Sequence, residues 1–275
     1  MTDALIQPDR DTALKKPRVN STLVQILLGI LILAAIAALL VPPIPQDPGY
    51  HDFADQRKIL AVPNFWNVIT NLPFFVAGIF GLMLSIIGTT KGGLAELRIA
   101  YFMFFFGTVL VALGSGYYHL DPTNESLFWD RLPMTIVFMA FFSIIIGENL
   151  SVVLGTRLLW PLIVIGLVSV IYWDHTETLG RGDLRPYALV QFLPVLLIPL
   201  ILVSCKPAFR NNWHIWAILV TYLIAKIAET LDNQIYQLLD ELSGHSIKHL
   251  VGSAVSVFLI VALLRREPVS RENGD

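Results

Sequence analysis

Residues 23–41 read LVQILLGILILAAIAALLV, nineteen residues without a charge. At about 1.5 Å of rise per residue, a helix of this length crosses the roughly 30 Å hydrocarbon layer of a bilayer. The run exceeds the roughly 7–15 apolar residues of a cleaved signal peptide, so it reads as a retained signal-anchor helix. On its N-terminal side Lys15, Lys16 and Arg18 stand in a polar stretch with no core-forming pattern. Residues 1–20 therefore read as a disordered cytoplasmic tail and 21–43 as one N-terminal transmembrane helix. Toward the C-terminus the expectation is an extracytoplasmic linker over 44–63, a seven-helix core over 64–265 and a cytoplasmic tail over 266–275.

Seven further apolar runs support that core: 65–88, 97–119, 132–150, 158–173, 187–205, 213–231 and 247–264. The class expected is all-α, a multi-pass transmembrane helical bundle. Composition agrees, with 55% hydrophobic and only 15% charged residues where soluble domains carry about 25% charged. A formal charge of -2 offers no basic surplus, which argues against nucleic acid as a partner. Cys205 is the only cysteine, so any metal site must draw on His, Asp or Glu.

Orientation follows from Lys and Arg in the short loops. With eight alternating helices, the tail cations, Lys91 with Arg98, Arg157, Lys206 with Arg210, and Arg265 with Arg266 share one side, which is expected to be cytoplasmic. Both termini then face the cytoplasm. Acidic residues dominate the opposite loops, although Arg57, Lys58, Arg181, Arg185 and Lys248 dilute the contrast.

Ionisable residues within membrane helices are costly and mark function by default. His119 closes one run in GSGYYHLDP, Asp130 opens the next in FWDRLPMT, and His245 with His249 opens the last in SGHSIKHLVG. Alternation places all four at the same, extracytoplasmic end. His245 and His249 lie four residues apart and so share a helix face, as do Ser115 and His119. Three His ligands and a water form the open arrangement of catalytic zinc, in which the water's pKa falls to about 7. Asp130 beside that water suits a general base and proton donor, and Ser115 suits an oxyanion donor or a group orienting the water. Plainer readings stand beside these. Asp130 three residues before Pro133 is also ordinary helix-capping chemistry, and Ser115 in GSG is also a small packing residue. Asn64, Asn67, Thr70 and Asn71 either orient the site or hydrogen-bond between helices, with the interhelical role preferred; Lys226 and Glu229 are read as a self-neutralising pair, and His51, His175 and His214 as solvated or interfacial.

S-x3-H, an Asp eleven residues later in D-x-L-P-M, and H-x3-H in the last helix together resemble the alkaline ceramidases. Ser115, His119, Asp130, His245 and His249 fill that pattern, and NFWNVITNLP resembles the family's F-W-N-x-x-S-N segment. The resemblance covers about residues 64–264 and extends to a superfamily that includes the adiponectin and progestin receptors. It implies zinc on His119, His245 and His249, with Asp130 and Ser115 assisting the cleavage of ceramide to a sphingoid base and a fatty acid. The family's calcium site includes a Glu just before F-W-N. Asn64 stands there, which counts against calcium even with Asp52 and Asp55 nearby, and Arg131 replaces a commonly acidic neighbour of Asp130. The expected substrate is a lipid amide entering from the bilayer; protein partners are not legible. Two rival readings are a receptor-like protein with a structural zinc, and a transporter or proton relay through Lys226, Glu229 and Asp232.

Overall fold

The computed structural model describes residues 21–88 and 91–269. The expected N-terminal tail lies outside the described residues, as do 270–275. Ten α-helices follow in order among those described: α1 Ser21–Leu40, α2 Phe65–Ile69, α3 Leu72–Ile87, α4 Arg98–Leu120, α5 Asn124–Asn149, α6 Val152–Thr178, α7 Arg185–Ser204, α8 Trp213–Thr230, α9 Asp232–Leu239 and α10 Gly244–Arg265. The chain is an integral multi-pass membrane protein: α1, the joined α2–α3, and α4, α5, α6, α7 and α10 are each long and apolar enough to span, seven in all, and α8 with α9 makes an eighth if that pair, bent by 80°, is one span.

Packing runs α7, α6, α5, α4, α3, α10, α8 around the bundle, with α5 also touching α7. The inner helix is α5, whose apolar window is 72% buried, whereas that of α1 is only 6% buried. The extra helix therefore lies outside the bundle, packed against α7. Its C-terminal end is tied down by polar contacts: Arg185 Nη1 donates to the carbonyl of Ala38 at 2.9 Å, and the Leu184 amide donates to Ile44 at 2.8 Å.

Two of the sequence boundaries move. The run expected at 132–150 begins eight residues earlier, because Thr123 and Ser126 form a capping box that starts α5 at Asn124. Such a box satisfies two otherwise orphaned backbone donors, which fixes the start before the apolar run begins. Asp130 is consequently inside α5, and the reading of it as a helix cap is overturned. The run at 65–88 is interrupted at Thr70 and Asn71, and Gly88 ends α3 with a φ of 73°, a left-handed conformation that favours glycine.

At the end of the bundle away from the histidines, Arg266 is fully buried and pairs with Glu148 at 2.7 Å, while Tyr101 donates to the same carboxylate at 2.6 Å. Residues 267–269 continue along the 208–210 loop through backbone hydrogen bonds. The expected C-terminal tail thus starts with a buried arginine and continues over 267–269 as exposed but hydrogen-bonded chain.

Candidate metal centre

Three imidazoles converge where α4 and α10 meet. His119, His245 and His249 are 1%, 4% and 4% exposed. Their ring centroids form a nearly equilateral triangle, with sides of 4.9, 4.9 and 5.0 Å. One ligand atom from each lies within 4.8 Å of the others, and His119 Nε2 and His245 Nε2 are 3.3 Å apart. Two nitrogens bound to one tetrahedral zinc at about 2.0–2.1 Å would stand roughly 3.3 Å from each other, so the donor set fits such an ion. Among the described residues this is the only cluster of metal-ligating side chains.

Backbone geometry explains the convergence. A Cβ on Gly244 would meet the Ala228 carbonyl at 2.2 Å, so only glycine lets the start of α10 lie against the α8–α9 bend. Asp232 at that bend accepts the His245 amide at 2.7 Å and the Ala54 amide at 2.9 Å, holding linker, bend and α10 together. Gly114 does the equivalent for α4 and α5, since a Cβ there would sit 2.0 Å from the Trp129 carbonyl. The close approach places the Ser115 hydroxyl beside the Asp130 carboxylate, both on the wall of one cavity.

The polar residues of α2 and its junction with α3 prove to orient the histidines. Thr70 donates its hydroxyl to the Trp66 carbonyl at 2.6 Å, so its oxygen accepts from His249 Nδ1 at 3.1 Å. This assigns the proton to Nδ1 and leaves the His249 Nε2 lone pair for a ligand. Asn64, at a φ of 45°, donates to the His119 carbonyl at 2.9 Å. Asn67 accepts the Ser246 hydroxyl at 2.7 Å. Asp55, which lies near the position where the family has its calcium site, is gripped by Arg57 through two hydrogen bonds of 2.9 Å.

Other contacts had no signal in the sequence. Phe53, from the linker, sets its ring at a steep tilt 4.7 Å from that of His119 and 4.5 Å from that of His245. Lys248 reaches both His245 Nε2 and Glu229, each at 2.9 Å. A metal ion at His245 Nε2 would displace that ammonium, and Glu229 is already in place to keep it. Glu229 also pairs with Lys226, as expected from their spacing, and accepts from Tyr50 at 3.3 Å. His51, expected to be solvated, bridges Tyr118 at 2.9 Å and Asn124 at 3.0 Å, and His214 is buried at the other end of α8. Of the three outlying histidines only His175 is exposed.

Beside the triad a cavity of about 470 Å³ runs into the bundle. Asp130, Ser115, Lys248 and His249 form its polar head; Phe104, Val137, Phe141 and Ile198 are among the apolar residues farther in. Its wall includes α7 and α8, which meet through the hydrogen bond from Gln191 to Tyr222 at 3.0 Å, and Phe192 there is 48% exposed on the bilayer side. No curated protein and no solved structure matches the chain. A protein-family model described as Ceramidase matches residues 58–265, the linker end and the whole helical core that carries the triad. By that match, over well more than half its length, the chain belongs to the ceramidase family.

Proposed function

We propose that this protein is a zinc-dependent amidohydrolase that cleaves a ceramide-like lipid amide to a sphingoid base and a fatty acid. The observation that carries the reading is the position of three buried imidazoles beside an Asp–Ser pair, at the polar head of an otherwise apolar cavity. His119, His245 and His249 would hold the zinc, which when bound supplies a Lewis acid and lowers the pKa of a coordinated water toward about 7.

Thr70 fixes the His249 tautomer, and Asn64 steadies the helix end that carries His119. Asp130 takes a proton from the attacking water and delivers it to the leaving amine nitrogen, a task for which it is free because Thr123 caps the helix. Ser115 holds the carboxylate in line. The apolar depth of the cavity accepts the acyl chain, entering from the bilayer between α7 and α8. Phe53 covers the triad from the linker and limits water. In the membrane, both termini face the cytoplasm and the metal centre opens to the extracytoplasmic side.

The test is metal analysis of the purified protein followed by incubation with a panel of lipid amides and esters under mass-spectrometric detection. One zinc per chain and release of fatty acid from an amide are expected. Full metal content with no hydrolysis of any amide would refute the enzymatic reading and favour a structural zinc.

A further inference from the structure

Arg131, one residue beyond Asp130 on α5, is a buried cation that the hydrolytic reading does not use. It is 5% exposed, and its guanidinium carbon lies 5.3, 4.3 and 5.1 Å from the ring centroids of Tyr50, Trp173 and Tyr187. It forms no ion pair among the described residues, and Nη1 is buried without a hydrogen-bond partner. Three aromatic faces attract the charge but do not satisfy an N–H donor. A buried guanidinium with an open donor is a costly arrangement that an anionic partner relieves. Arg131 also lines the cavity that holds Asp130, alongside Gln46 and Asp47 of the linker. Asp47 accepts the Gly49 amide at 2.9 Å and forms no ion pair with Arg131, and Gln46 Oε1 is itself buried without a partner.

We propose that Arg131 forms an anion subsite that selects N-acyl lipids bearing an oxyacid group, such as a carboxylate, sulfonate or phosphate, on the amine half of the molecule. The proposal rests on the lipid-amide reading above and narrows its substrate. A planar guanidinium matches two oxygens of such a group, and the water-poor wall strengthens the bond. The fatty acid freed by cleavage fits the subsite less well, because its carboxyl carbon is the atom attacked beside the triad. Between Arg131 and the triad stand Tyr50, Glu229 and Lys248, linked in series to His245. The amine half, extending away from the triad toward the linker, is the part that reaches Arg131.

The experiment uses the zinc-loaded full chain in detergent with N-palmitoyl taurine and N-palmitoyl ethanolamine, which share tail, amide and spacer and differ in a sulfonate against a hydroxyl. Affinity is read by displacement of a fluorescent lipid and turnover by mass spectrometry. The sulfonate is expected to bind at least about tenfold tighter, the scale of one charge-assisted hydrogen bond. That ratio should collapse toward one in Arg131→Gln and persist in part in Arg131→Lys. Equal or weaker binding of the sulfonate by the unmodified protein, a comparison that needs no variant to fold, overturns the proposal. So does an unchanged ratio in Arg131→Gln. Palmitate that competes as well as the sulfonate, and loses that ability in Arg131→Gln, would assign the subsite to the released acid and overturn the choice of the amine half. Selective binding without turnover of either lipid would refute the hydrolase and leave the anion site standing; turnover of both with equal affinities would do the reverse.

Discussion

Replacing Asp130 by Asn keeps the shape of the side chain and removes its ability to change charge. Since the capping box at Thr123 starts α5 without it, the variant loses no cap. We expect Asp130→Asn to keep its metal and its melting temperature while losing at least about a hundredfold in lipid-amide hydrolysis, the lower range for general acid-base catalysis. Near-normal turnover would remove Asp130 from the chemistry, and loss of metal would make it part of the metal centre. Thr70 tests the orientation of a ligand. Because its oxygen accepts from His249 Nδ1, Thr70→Val should weaken zinc binding by about 10–100-fold, measured by chelator competition, and Thr70→Ser should restore it. Equal affinity in all three would leave the hydroxyl with a packing role only. For the ligands themselves, the double change of His245 and His249 to Ala should abolish zinc binding.

Helix contacts set the spacing in which those residues work. Gly114 brings α4 against the backbone of α5, and a methyl group there would lie 2.0 Å from a carbonyl oxygen. Gly114→Ala should destabilise the bundle by about 1–3 kcal/mol, as overpacking does, and lower hydrolysis by parting Ser115 from Asp130. An unchanged melting temperature would show that the helices part freely. The attachment of α1 depends on charge. Hydrogen bonds from Arg185 hold the Asp183 carboxyl below its ordinary range, and the same arginine grips the end of α1. A carboxyl lowered in the folded state contributes its stability above the unfolded value, near 3.9, and loses it as the pH falls through the lower folded value. Spin labels on α1 and α7 should therefore stay at fixed separation at neutral pH and spread as acidification passes that lowered folded value; Asp183→Asn should spread them at neutral pH.

For the molecule as a whole, the placement of Lys and Arg predicts a single orientation. Reporter fusions after Arg18 and after Arg266 should both report the cytoplasm, and a fusion after His119 the opposite compartment. Termini on different sides would mean that one of the eight spans, most directly the bent α8–α9 pair, does not cross.

The sequence alone determined the class of solvent, the approximate spans and the three histidines that converge, because each depends on local information. Apolar length decides a crossing, and His245 and His249 share a face through helical periodicity alone. Ser115, His119 and Asp130 were legible from the motif that joins them. The start of α5 was not, since a polar capping box outweighs the point where hydropathy rises, and reading the helix from Leu132 made Asp130 look like its cap. Phe53, Lys248 and the particular partners of the α2 polar groups were beyond sequence for a different reason. Phe53 and Thr70 touch histidines 66 to 192 positions away in the chain, and Lys248, though a neighbour of His245, finds Glu229 only because α8 packs on α10. Such pairings are set by the glycine contacts and the bend at Asp232, which bring distant segments to one depth in the bundle.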